Sequence, residues 1–161
     1  MLLKRLTRLG KGSRCWGSFW VASCEVVPGP GDHTPVILLV EDDVLVRFST
    51  AEMLRDEGYV VLEAVDAFEA LSFVASGHPL DLVVSDVRMP GELDGVALTY
   101  AIKEARPHLP IVLVSAHLPP NAKHGGDGFL SKPYRPARLF EIVEEMTGRE
   151  WQSKRSNPSA S

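Results

Sequence analysis

The sequence predicts an α/β fold, a doubly wound, five-stranded parallel sheet with helices on both faces. Short β-branched apolar runs alternate five times with stretches of helical periodicity, the signature of strand–helix–strand units. The runs are mostly apolar, without regular polar–apolar alternation, as in strands buried on both faces. Four of the five end on a charged or hydroxyl side chain. In a parallel sheet those ends share one edge, where open α/β sheets place their ligand sites.

The first run, Val36-Ile37-Leu38-Leu39-Val40, ends in Glu41-Asp42-Asp43. A helix over 43–57 follows, with Val44, Leu45, Phe48, Ala51, Met53 and Leu54 at helical spacing and Gly58 as its C-terminal stop. Tyr59-Val60-Val61-Leu62 is the second strand. Asp66 caps a helix to about Ser76, with Ala67, Ala70, Leu71 and Val74 facing inward and Gly77 closing it. Leu80 to Ser85 is the third strand, stopped by Asp86 and the turn Met89-Pro90-Gly91. Asp94 caps a helix to about Arg106, beyond which Pro107 prevents continuation. Ile111-Val112-Leu113-Val114 ends at Ser115, and Gly128-Phe129-Leu130-Ser131 ends at Lys132-Pro133. Pro136 opens a last helix to about Thr147. There are no internal repeats.

Charge separates the chain into three parts. Residues 36–150 hold 19 acidic against 10 basic side chains, whereas residues 1–35 hold five basic against two acidic ones. An acidic domain is a poor partner for nucleic acid, whose phosphates need a basic face. Both cysteines, Cys15 and Cys24, precede the first strand, so the folded part has no disulfide and no thiolate metal site. Residues 1–35 are expected to be a disordered extension, or sequence read from a start codon placed too far upstream. Lys4, Arg5, Arg8, Lys11 and Arg14 before an apolar patch, with Val21-Ala22-Ser23-Cys24, resemble an export signal in outline. The patch is broken by Gly17 and Ser18 and is too short to span a bilayer. Residues 36–149 are the domain, and 150–161 a disordered polar tail.

The strand ends bring Glu41, Asp42, Asp86, Ser115 and Lys132 together. Three carboxylates a few ångströms apart repel unless a cation joins them, and an all-oxygen, partly hydrated site suits Mg²⁺. Lys132 adds a fixed positive charge and Ser115 a hydroxyl donor, a combination that serves a phosphoryl group.

These residues, with Asp86-Val87-Arg88-Met89-Pro90-Gly91, Asp94-Gly95, Ser115-Ala116, Lys132-Pro133 and the 44-residue spacing from Asp42 to Asp86, resemble the receiver domain of two-component response regulators over about Val36 to Thr147. The resemblance implies a flavodoxin-like sheet of strand order 2-1-3-4-5. It implies Asp86 as phosphoacceptor, Mg²⁺ held by Glu41, Asp42, Asp86 and the Arg88 backbone carbonyl, and Lys132 and Ser115 on the phosphoryl group. Ser115 and Phe129 take the family's switch positions. The donor would be a histidine kinase or a histidine phosphotransfer protein, in the bacterial cytoplasm. The expected role is a stand-alone response regulator in a phosphorelay, acting through an unknown downstream protein or as a phosphate sink. It would be no enzyme beyond its own phosphotransfer and dephosphorylation, and would contact neither membrane nor nucleic acid. A homodimer is compatible with the family. One departure stands out: Lys132 follows Ser115 by only 17 positions, with Pro119, Pro120, Gly125 and Gly126 between them. A regular fourth helix is therefore expected to be shortened or replaced by a loop over Ala116–Asp127. Two rival classes are a phosphorylation-independent interaction module on the same fold and a phosphatase of the haloacid dehalogenase type. The second needs Asp-x-Asp after the first strand, where Glu41 stands in the nucleophile's place.

Overall fold

A computed structural model describes residues 33–117 and 123–148. Five parallel strands, β1 (Val36–Val40), β2 (Val60–Ala64), β3 (Leu82–Asp86), β4 (Ile111–Ser115) and β5 (Gly128–Ser131), form one sheet in the order β2-β1-β3-β4-β5. Four helices accompany them: α1 (Val44–Asp56), α2 (Ala67–Ala75), α3 (Gly95–Ala105) and α4 (Pro136–Thr147). Both the strand order and the two-sided layering match the sequence-based expectation.

Successive side chains of a strand point to opposite faces, and here both faces are apolar. Ile37, Leu39, Val84 and Val112 pack with Ala51 and Leu54 of α1 and with Leu139 and Val143 of α4. Leu38, Val40, Val83 and Ile111 pack on the other side with Ala70 and Val74 of α2 and with Leu98 and Ile102 of α3. Each large side chain buried this way contributes about 1.5–3 kcal/mol. That outweighs the weak helix propensity of Val44, Val46 and Thr50 in α1.

Helix ends follow the expected chemistry. The Asp43 carboxylate accepts from the amides of Leu45 and Val46 at 2.8 and 3.1 Å. Asp66 accepts from Glu69 N, and the Glu69 carboxylate accepts from Val65 N in return. Asp94 caps α3 through Ala97 N. The two hydrogen bonds that Asp43 accepts hold its carboxyl below the usual range.

The inward face of α1 matches the expected apolar set at Ala51 and Leu54 but not in its first turn. Val44, Leu45 and Phe48 are exposed (61%, 76% and 61%), and the buried residues are Thr50, Ala51 and Leu54. The stripe 47-50-51-54 has the same helical spacing as the apolar one, and the strand end at Val40 points that face at the sheet. Between β4 and β5 the described residues form bends and irregular chain without a helix; positions 118–122 of the expected loop lie outside them, as do residues 1–32 of the expected head and the tail. Residues 33–35, expected to belong to the disordered head, are instead tied to the sheet, with Pro35 O accepting from Val60 N at 3.1 Å. Among the described residues no helix is long and apolar enough to cross a membrane.

Candidate functional site

Parallel pairing places the carboxyl ends of β1, β3, β4 and β5 on one edge, and the functional side chains meet there. Glu41 follows β1, its amide held by Ala64 O at 3.2 Å, and its side chain is buried despite its charge. Asp86 is the last residue of β3 and pairs in register with Val114 of β4. Lys132 follows β5, and its amide donates to Ser115 O at 2.9 Å, which fixes it across the ends of β4 and β5.

The Lys132 ammonium bridges Glu41 Oε2 at 2.8 Å and Asp86 Oδ2 at 2.5 Å. Asp86 Oδ1 accepts from the Arg88 amide at 3.0 Å. Glu41, Asp42 and Asp86 each offer a carboxylate oxygen, all within 4.8 Å of one another. Burial is the largest influence on Glu41 and lifts its carboxyl above the usual range. Lys132 pulls it back, and the charges of Asp86 and Asp42 push it up again. Burial also works against the Lys132 charge, but the hydrogen bonds and charges of Asp86 and Glu41 outweigh it, so the ammonium is held protonated. A donor set of three converging carboxylates and no nitrogen or sulfur fits a hard divalent ion such as Mg²⁺.

Ser115 ends β4, buried, with its hydroxyl oxygen accepting from His117 N at 3.2 Å. Phe129 is half-buried on β5, its ring 5.7 Å from that of His124. All the candidate side chains thus lie on or beside one sheet edge. Arg88 enters through its backbone, while its side chain is exposed.

The profile of the response regulator receiver domain matches residues 37–144. The chain belongs to that family. The receiver is 38% identical over 119 residues to the sensor kinase CckA of Brucella abortus, an alignment covering 68% of this chain and 12% of that protein. It is 39% identical over 114 residues to the transcriptional regulatory protein PdtaR of Mycobacterium tuberculosis, covering 67% of this chain and 54% of that one. These curated relatives are longer proteins, of which the chain spans between 12% and 54%. Among solved structures, the receiver domain of NtrX from Brucella abortus superposes with a TM-score of 0.64 at 34% identity, covering 71% of this chain and 99% of that one. The chemotaxis protein CheY4 of Vibrio cholerae gives 0.65 at 28% identity, with the same coverage.

Two residues of the receiver's edge carry roles that the motifs alone did not assign. Gly95 opens α3 directly behind Asp86, where a Cβ would run into the Asp86 carbonyl oxygen. Arg47 donates from Nη1 to Glu41 O at 2.7 Å, from a helix position that the spacing rule reserves for an inward side chain. The signal for Arg47 was present as a lone cation on the 47-50-51-54 stripe. For Gly95 only the Asp-Gly pair was visible.

The Lys132 bridge gives a direct expectation. Replacing Lys132 by Met leaves the Glu41 and Asp86 carboxylates facing each other without their counter-charge. Breaking a buried pair costs about 3–5 kcal/mol, and about 1–2 kcal/mol is expected here because the Lys132 side chain is 23% exposed. Thermal melts in EDTA should show the loss, and Mg²⁺ should recover more stability in the variant than in the wild type.

Proposed function

We propose that this receiver takes up a phosphoryl group on Asp86 from a histidine kinase or a histidine phosphotransfer protein, in a Mg²⁺-dependent phosphorelay in the cytoplasm. The observation that carries the reading is the Lys132 ammonium held between Asp86 and Glu41 at the sheet edge, with Asp42 in the same oxygen cluster. One carboxylate at a strand terminus is a nucleophile, and a fixed cation beside it receives the charge that a phosphoryl group brings.

In the reaction an Asp86 carboxylate oxygen attacks the phosphorus, forming a P–O bond while the donor's P–N bond breaks. The Arg88 amide holds Oδ1, which leaves Oδ2 as the oxygen that must exchange Lys132 for the incoming phosphorus. Lys132 moves with its charge from Asp86 to the phosphoryl oxygens, and the Ser115 hydroxyl turns to donate to another. Glu41, Asp42, Asp86 and the Arg88 carbonyl would hold Mg²⁺, which supplies charge neutralisation for the carboxylates and the phosphoryl group. Water later cleaves the acyl phosphate, releasing inorganic phosphate and restoring the carboxylate. Output runs through protein contacts with a downstream partner, or the receiver acts as a phosphate sink for a shared kinase.

Incubation with acetyl phosphate and Mg²⁺ should add one phosphate, labile to hydroxylamine as an acyl phosphate is, and EDTA should abolish the uptake. A hydroxylamine-stable phosphate ester would overturn the reading. The metal can be tested without turnover. Mg²⁺ at about one hundred times its Kd should stabilise the fold by about 2.7 kcal/mol, and Asp42→Ala should remove most of the shift. An undiminished shift in that variant would exclude Asp42 as a ligand.

A further inference from the structure

We propose that Arg47 is a positioning residue of the site, setting the Glu41 and Asp42 carboxylates for the cation by holding their two backbone carbonyls. The inference rests on the phosphoacceptor reading and extends it to a residue that touches no reacting atom.

The inward stripe of α1 contains Thr50, Ala51 and Leu54, all nearly inaccessible, and its first position is Arg47, whose side chain is only 13% exposed. An arginine carries about 2 kcal/mol of rotamer entropy, which packing alone does not justify where Ala51 and Leu54 show that an apolar side chain would serve. Its bonds supply the reason. Nη1 donates to Glu41 O at 2.7 Å and reaches Asp42 O at 3.5 Å. Those carbonyls lie ahead of α1, whose backbone ladder starts with Arg47 N donating to Asp43 O. They belong to the strand-to-helix connection, outside the hydrogen-bond ladder of α1. A charge-assisted bond at this point fixes the peptide after Glu41. The Glu41 amide is already tied to Ala64 O, and Asp43 is tied by its cap. With both ends pinned, the carbonyl contacts set the backbone from which the Glu41 and Asp42 side chains project, and Lys132 at 2.8 Å holds the Glu41 carboxylate as well.

A purely structural role would make Arg47 a strap from α1 to β2 through Glu63, whose carboxylate lies 3.5 Å from Nε. Arg55 already serves there, with Nη2 at 2.8 Å from Glu63 and 3.1 Å from Val61 O. What Arg47 adds is the hold on the acidic connection.

The test titrates Mg²⁺ by calorimetry into the full chain and melts the same proteins in EDTA. In Arg47→Gln the Mg²⁺ Kd should rise about tenfold, the lower end of the loss found when a group that orients metal ligands is removed. Glu63→Gln removes the strap without touching the carbonyls, so its melting temperature should fall while its Mg²⁺ Kd stays at the wild-type value. Arg47→Lys keeps one donor and should recover part of the affinity; it also serves as the test variant if Arg47→Gln fails to fold. An unchanged Kd in the Arg47 variants, or an equal loss in Glu63→Gln, overturns the positioning role and leaves the phosphoacceptor reading intact. A wild-type protein that binds no Mg²⁺ overturns both.

Discussion

Asp86→Asn is expected to abolish phosphoryl uptake from acetyl phosphate while leaving the fold in place. Asparagine has the same shape, so its side-chain oxygen can still accept from the Arg88 amide as Asp86 Oδ1 does at 3.0 Å. What it loses is the anionic oxygen that attacks phosphorus, and a neutral amide is no substitute nucleophile. Lys132 keeps Glu41 as a partner at 2.8 Å, so the ammonium is not stranded. Removing one of three clustered carboxylates also relieves repulsion, which offsets the lost ion pair. The melting temperature should therefore move little, while labelling, read by intact-protein mass spectrometry, drops to background. Full labelling of Asp86→Asn would move the acceptor elsewhere.

Asp86 was legible because its surroundings are local in sequence. An apolar β-branched run, a carboxylate and a Pro-Gly turn follow one another within ten residues. The same holds for Glu41-Asp42, Ser115 and Lys132, each the first polar residue after a buried strand or one residue beyond it. A parallel sheet then brings strand ends together whatever the loops do, so the cluster needed no long-range guess.

Legibility failed where two readings shared one spacing. In α1 the apolar set Val44, Leu45, Phe48, Ala51, Met53 and Leu54 and the overlapping stripe Arg47, Thr50, Ala51 and Leu54 both satisfy helical periodicity. Hydrophobicity favours the first, but the path of the chain out of β1 selects the second. The error concealed Arg47, since a charged side chain on the side assumed to be solvated raises no question. It also leaves an exposed apolar patch at the start of α1, beside the acidic edge. Between Ser115 and Gly128 the prolines and glycines argue against a helix, and the described residues on both sides of 118–122 contain none.

Gly95→Ala should be the most damaging single-methyl substitution at the site. Gly95 is buried at the start of α3 with its amide donating to Val87 O at 3.0 Å, so helix and strand end touch backbone to backbone. An added Cβ would run into the Asp86 carbonyl oxygen and lie 2.9 Å from both Asp86 C and Val87 Cα. None of these atoms belongs to a side chain that could rotate away. Asp86 is paired in the sheet and the Val87 amide is bonded to Val114 O at 2.9 Å, so α3 must move outward and uncover Leu98 and Ile102. Alanine gains up to about 1 kcal/mol of helix propensity over glycine, but overpacking against fixed atoms costs about 3 kcal/mol or more. The net loss of about 2 kcal/mol corresponds to a fall of roughly 6–12 °C in melting temperature for a domain of this size. Uptake of phosphate, measured at a temperature where both proteins are folded, should fall too, because the displaced backbone carries the proposed acceptor. A Gly95→Ala protein as stable as the wild type would mean that α3 can slide without loss, and that the close approach behind Asp86 constrains neither the fold nor the site.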